Sequence, residues 1–390
     1  MPVPSTTPSP TAEPIGDGVL TIGTLFPTTG AAAVASRAGA AAVELAVREI
    51  NEAGGVNGHP VVVYHQDSGD ASTTKPEESF TYLVSRGVDV LIGPSSTDLT
   101  ERLLPKAIEA GVVMISPSVT SPTLTSLKDD GLLFRTIPSE GLEGKALANV
   151  IGKRRVAIIY QSVDSDRAVR DELVAELEKA EGELVAMEGF SATSDDVDKI
   201  VSALRVAAPD AIVLSSPSSA IEKNTAILLA LAEANLAGSK LWLSSRNLAD
   251  YSEALPEGTL TDVNGILGGA DPDADFQKRV KSSDPTVSDF RYAAEAYDAT
   301  IIAALAALVA EDDRGRAIAS VLQTISSTGI TCTSFGECLD VLTTRKDINY
   351  DGVSGPLSFD SHGDPRSAPY GVYGYGADNK FTFVATTKLD

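Results

Sequence analysis

Residues 88–125 read VDVLIGPSSTDLTERLLPKAIEAGVVMISPSVTSPTLT: a strand, a hydroxyl-rich turn, a helix, a second strand and a second hydroxyl-rich turn. Val88 to Ile92 is a short apolar run stopped by Gly93-Pro94. Leu99 to Ala110 has helical spacing with Leu103, Leu104, Ala107 and Ile108 inward, and Val112 to Ile115 is apolar again. The stretch is therefore a βαβ unit. In such a unit the loops after both strands fall on one edge of a parallel sheet, where open α/β sheets take up ligands. Ser95, Ser96, Thr97, Thr100, Ser116, Ser118 and Thr120 then gather at one place. Their hydroxyls, with the free N–H groups of the helix start, suit an anion such as a carboxylate. Either loop alone reads equally well as helix cap and turn; two in register favour a site.

Working outward, the pattern repeats. Before the central unit, Val19 to Pro27 is a strand, Arg37 to Ala53 a helix stopped by Gly54-Gly55, Pro60 to Gln66 a strand and Glu77 to Arg86 a helix. After Leu133 to Pro138, a fifth extended piece, and helix Leu142 to Ile151, a second series begins. Its strands are Arg155 to Tyr160, Leu184 to Phe190, Ala211 to Ser215 and Lys240 to Ser244; its helices are Arg167 to Ala180, Val197 to Val206 and Ala220 to Asn235. Two doubly wound parallel α/β lobes of similar size would face each other across a cleft. Helices Phe290 to Ala310 and Ala317 to Ser326 return to the first lobe, and the alternating tail Gly355 to Thr387 is assigned to the second. The expected division is 17–138 plus 270–350 for the first lobe and 139–269 plus 351–390 for the second.

With 390 residues, 43% of them hydrophobic, the chain is long enough for two such cores. A formal charge of -23 argues against nucleic acid or an anionic membrane surface as partner. No run of 18 uncharged apolar residues occurs, since Ala293 to Ala310 contains Glu295 and Asp298, so no membrane span is expected. Residues 1–16, rich in Pro, Ser and Thr, read as a disordered tether. Linkers of this kind join lipid anchors to exported domains, which predicts an extracytoplasmic protein, lipid-anchored to the outer face of the cell membrane or periplasmic. Cys332 and Cys338 stand alone and close together, favouring a small disulfide loop in an oxidising compartment over two buried thiols. His59, His65 and His362 lack ligand spacing, so no metal is expected, and no cofactor motif is found.

The stretches AVELAVREINEAGGVNGHPV, LIGPSST, GVVMISPSVTSPTLT, YAAEAYDAT and DINYDGVSGPLSFDSHGDP, in this order, resemble the type I periplasmic binding proteins of ABC importers, specifically the branched-chain amino-acid (Leu/Ile/Val) binding family. The resemblance implies two lobes joined by three crossovers, hinge closure over a small ligand, and docking of a monomer on a membrane permease. It also implies that Ser96, Thr97 and Thr100, with Val119 and Thr120, hold the ligand carboxylate.

The other half of the site departs from the family. An acid that pairs with the ligand ammonium in amino-acid-binding relatives falls here on Arg246, in LWLSSRNLAD. At ~4 Å a cation would repel an ammonium by about 1 to 4 kcal/mol. Arg246 would instead fork onto an oxyanion, or simply pair with Asp250 or another acid. Where many relatives carry Tyr-Gly this chain has DSDRAV, and Ala32 stands where some carry an aromatic. Tyr160 either contacts the ligand or caps the core; Ser215, Ser216 and Pro217 are expected in the pocket wall, with Asn247 adding an amide. Together these departures favour a dicarboxylate, aromatic acid or acylated amino acid over an unmodified aliphatic amino acid.

Two other function classes compete. A dinucleotide enzyme needs G-x-G-x-x-G after the first strand, where this chain has FPTTGAAAV, and no G-x-S-x-G elbow occurs, so a non-enzymatic role is expected. A ligand-sensing domain that signals through a partner receptor would bind the same chemistry.

Overall fold

Short apolar runs alternate with amphipathic helices, and each run becomes a buried strand. A computed structural model describes residues 16–28, 33–69, 72–152, 154–194, 196–269, 272–344 and 346–389. Residues 1–15 of the expected tether, and Ala32, lie outside them. The first sheet contains β1 (Thr21–Phe26), β2 (Val62–Asp67), β3 (Val90–Ile92), β4 (Val113–Ser116) and β5 (Leu133–Arg135), all parallel, in the order β2-β1-β3-β4-β5. Helices α1 (Ala33–Glu52), α2 (Lys75–Ser85) and α3 (Thr97–Ala110) connect the first four strands. Gly93, between β3 and α3, has φ +113°, and a Cβ there would stand 2.7 Å from the Leu25 carbonyl oxygen. Only glycine lets this loop lie so close on β1.

The second sheet repeats the winding. Helix α4 (Glu140–Ile151) leads into β6 (Arg155–Gln161), α5 (Asp164–Lys179), β7 (Glu183–Phe190), α6 (Val197–Ala207), β8 (Ala211–Ser215), α7 (Ile221–Glu233), β9 (Leu241–Leu243) and β10 (Asn264–Gly268). The order β7-β6-β8-β9-β10 matches that of the first sheet strand for strand. Each sheet therefore reverses its strand order once, between β1 and β3 and between β6 and β8, and the loops beyond these strand ends open toward a ligand. Strand β10 is absent from the sequence reading because its NGILG run is short and glycine-flanked.

The chain then returns to the first lobe through α8 (Ala274–Ser283), α9 (Ala293–Ala310), α10 (Gly315–Ile325), β11 (Ile330–Cys332), α11 (Phe335–Thr343), β12 (Ile348–Gly352) and β13 (Gly355–Pro356). Helix α9 is long and apolar enough to cross a membrane, but 83% of it is buried, and it packs as a core helix against α1 and α10. Its charges are also inside: Asp298 accepts hydrogen bonds from the Tyr350 hydroxyl (2.6 Å) and the Ser354 N–H (2.6 Å). Cys332 and Cys338 are bonded to each other and buried, joining β11 to α11.

The tail departs from the sequence reading. Residues 351–366, assigned above to the second lobe, pack on the first: Leu357 and Phe359 belong to its core, Ser354 is held by Asp298, and Phe359 meets Phe134 edge-on at 5.2 Å. The physical cause is an ion pair. Arg135, 1% exposed, donates from Nε to Asp364 Oδ1 (2.6 Å) and from Nη2 to Oδ2 (2.5 Å), and Thr125 adds a hydroxyl to Oδ2 (2.6 Å). Only β14 (Pro369–Tyr375) and β15 (Phe381–Lys388) join the second sheet, antiparallel beside β10. The chain thus passes between the lobes three times: after β5, after β10 and before β14.

Asp364→Ala would leave the Arg135 guanidinium buried without its partner. A loss of about 3–5 kcal/mol in urea denaturation at pH 7 is expected, with partial recovery in an Arg135→Met, Asp364→Leu double variant.

Candidate ligand-binding cleft

Parallel winding sends the loops after β4, β5 and β9 and the end of β10 toward one region, and a cavity of about 100 Å³ lies there. Thr120 enters it from the first lobe; Glu140, Glu143, Ser245 and Arg246 enter from the second, with Tyr292 and Tyr370 alongside. Two larger depressions, of about 290 and 360 Å³, involve Asp129, Arg316 and His362 or Asp89, Gly111 and Arg314. Both sit where strands of the first sheet begin, the edge opposite the ligand edge of such a fold.

Of the residues expected from sequence, Thr120 and Arg246 line this cavity. The Thr120 hydroxyl donates to Glu140 Oε1 at 2.9 Å, and the Glu140 N–H returns a bond to the Thr120 carbonyl at 2.9 Å. Ser215 is fully buried at the end of β8, and its hydroxyl donates to Asp166 Oδ1 at 2.8 Å, spanning the point where the strand order reverses. Arg246 stands between the two acids, with Nε 3.9 Å from Glu140 Oε1 and Nη1 3.8 Å from Asp166 Oδ2. These separations are too long for hydrogen bonds. Of the alternatives, pairing with another acid is the one seen, with Glu140 and Asp166 as the partners, whereas Asp250 lies 3.5 Å from Lys380.

The remaining expected residues are engaged elsewhere. Ser96 caps α3, its Oγ accepting from the Leu99 N–H, and leads into Thr97, the half-buried first residue of the helix. The buried Thr100 hydroxyl turns back onto the Ser96 carbonyl (2.9 Å), so it is spent inside the helix. The Val119 N–H is taken by Ser116 Oγ (3.3 Å) and its carbonyl by Arg135 (3.4 Å). The Tyr160 ring lies under Arg170, 4.6 Å from the guanidinium, beside α5. The Ser216 hydroxyl donates to Asn224 Oδ1 (2.6 Å), and the Pro217 carbonyl accepts from Asn224 Nδ2 (2.9 Å). Asn247 is fully buried, with Oδ1 accepting the Tyr251 hydroxyl. These side chains brace the loops.

Two acids absent from the sequence reading, Glu140 and Glu143, line the cavity, and a third, Asp166, is buried beside Arg246. Asp166 lies in DSDRAV, where only a missing Tyr-Gly pair was noted; Glu140 and Glu143 open α4, where acids read as ordinary partners of the helix dipole. Burial pushes Asp166 up to about 6 despite Arg246 and the Ser215 hydroxyl. Burial, with repulsion from Glu140 and Asp166, pushes Glu143 up to about 8 while Ser245 holds it with its N–H (2.8 Å) and its hydroxyl.

A polar cavity between two parallel α/β lobes, built from loops at their strand ends, defines a protein of the solute-capturing class. The sequence matches the family model described as periplasmic binding protein over residues 19–366, and the chain belongs to that family. It is 25% identical over 361 residues to the chemotactic signal transduction system substrate-binding protein BasB of Halobacterium salinarum, covering 89% of this chain and 84% of that one. It is 24% identical to Leu/Ile/Val-binding protein homolog 2 of Brucella abortus, over 93% of this chain and 92% of the relative. The structure of the branched-chain amino acid transporter substrate binding protein LivJ of Streptococcus pneumoniae, in complex with isoleucine, superposes with a TM-score of 0.66 at 21% identity, covering 95% and 99% of the two chains.

Glu143 supplies a stability test. A carboxyl whose folded pKa exceeds its unfolded value holds its proton in the folded state where the unfolded chain has lost it, so stability falls as pH rises through that window. For Glu143 the window runs from about 4.5 to about 8. Glu143→Gln should therefore stabilise the protein at pH 8, on the order of 2 kcal/mol, with little change at pH 4, as read by urea denaturation at both values.

Proposed function

We propose that this chain is the extracytoplasmic solute-binding component of an ABC importer, capturing an amino acid or related small carboxylate when its two lobes close. The observation that carries this reading is the cavity shared by the lobes, with Thr120 on one side and Glu140, Ser245 and Arg246 on the other. A ligand there touches both halves, so its binding energy favours the closed form, which is the form a permease can distinguish from the empty one. No step of catalysis is assigned.

A second reading rests on the likeness to BasB, whose name places it in chemotactic signal transduction. The same capture would then be reported to a receptor. Gene disruption separates the two: loss of solute uptake supports the importer, and loss of chemotaxis with uptake intact supports the sensor.

A thermal-shift screen of amino acids, dicarboxylates, aromatic acids and N-acylated amino acids should yield at least one stabilising compound. At ~100 times its dissociation constant a ligand of the folded form adds about 2.7 kcal/mol. No shift with any of these classes contradicts the capture of a small carboxylate.

A further inference from the structure

The guanidinium of Arg135 does more than neutralise Asp364. It is buried at the end of β5, and each of its three nitrogens donates. Nε and Nη2 grip Asp364 at 2.6 and 2.5 Å, and Nη2 also reaches the Thr125 hydroxyl at 2.9 Å. Nη1 is turned the other way, onto the carbonyls of Ser121 (2.7 Å) and Val119 (3.4 Å). These carbonyls flank Thr120, the residue by which the loop after β4 enters the cavity. One buried cation therefore holds the backbone on both sides of Thr120.

Asp364 is itself fixed. Gly363 lies directly against β5: its carbonyl accepts the Arg135 N–H at 2.9 Å, and a Cβ there would stand 2.2 Å from the Leu133 carbonyl oxygen. Asp360 Oδ1 accepts the Asp364 N–H at 3.1 Å. The pair also stands beside two of the connections between the lobes, since α4 begins at Glu140, shortly after Arg135, and β14 at Pro369, shortly after Asp364. A contiguous set of bonds runs from the 360–364 turn through Arg135 to the Thr120 loop and on to Glu140, the first residue of α4.

We propose that Arg135 is a positioning residue for ligand capture. Locked by Asp364, it fixes the backbone on either side of Thr120, and with it the first-lobe wall of the cavity, while itself standing outside the lining. Its effect on affinity rests on the solute-binding reading; its hold on the loop does not. A pair that served stability alone would be replaceable by apolar side chains of similar volume, whereas a positioning pair is not. Lysine is no substitute either, because an ammonium lacks the planar fork that serves a carboxylate and two carbonyls at once.

The test compares the whole wild-type chain with the Arg135→Met, Asp364→Leu double variant and with Leu45→Ala, a core truncation in α1. Hydrogen exchange reads the Glu140 amide, which is bonded to the Thr120 carbonyl, against the amides of β4. In the double variant the protection of Glu140 should fall about tenfold or more relative to β4; in Leu45→Ala the two should fall together. An unchanged ratio in the double variant overturns the inference. Calorimetry then measures L-leucine, succinate, benzoate and N-acetyl-L-leucine. Any of these that the wild type binds should bind the double variant and Arg135→Lys about 10-fold more weakly, and Leu45→Ala with wild-type affinity. Wild-type affinity in the double variant overturns the inference and leaves the solute-binding reading standing. Binding of none of the four to the wild type overturns that reading, while the exchange of Glu140 still decides the role of Arg135.

Discussion

Two buried carboxyl groups, each held by a single hydroxyl, constrain the arrangement of the cleft. The bond from Thr120 to Glu140 ties the loop after β4 in the first lobe to the first residue of α4 in the second. The bond from Ser215 to Asp166 ties the end of β8 to the first turn of α5, across the reversal of strand order. An acid buried this way must be oriented or it becomes a liability, and the surrounding hydroxyls and Arg246 are the groups that orient it. Loop residues that would otherwise be exchangeable turn formers are thereby committed to particular rotamers.

The lobes that carry these loops are stable for a different reason. The first is built on α9, whose apolar face runs all the way round because strands, α1 and α10 enclose it. The chain crosses between lobes three times, and the last crossing is delayed by the pairing of Arg135 with Asp364, which keeps residues 357–366 on the first sheet until β14. Such a hinge region leaves each lobe with its own core, so that relative motion costs few apolar contacts.

The helices and strands around Val88 to Thr125 were legible because hydrophobic period and turn residues agree at every step. The agreement was weaker for β10, with two glycines in five residues, and for α8, whose ADFQKRVKSS carries a single buried phenylalanine and valine. In the cleft, residue type does not say which hydroxyls and amides face the cavity. Thr120 and Arg246 line the cavity as the pattern suggested, yet Thr100, Ser216 and Asn247 satisfy neighbours within their own lobes. A hydroxyl or amide near a strand end has several partners in reach, and composition does not say which one is nearest.

The sequence by itself determined the two-lobed parallel α/β architecture and the edge at which polar loops collect, because these follow from periodicity and spacing along the chain; it favoured the pairing of Cys332 with Cys338, which the structure shows. Only the tertiary structure decided that Glu140 and Asp166 flank Arg246 and that the 351–366 segment stays with the first lobe. Both depend on side chains brought together from segments 80 to over 200 residues apart, Asp166 with Arg246 and Arg135 with Asp364. Whether a charge ends as an exposed cap or as half of a buried pair is set by that three-dimensional neighbour, which no local pattern encodes.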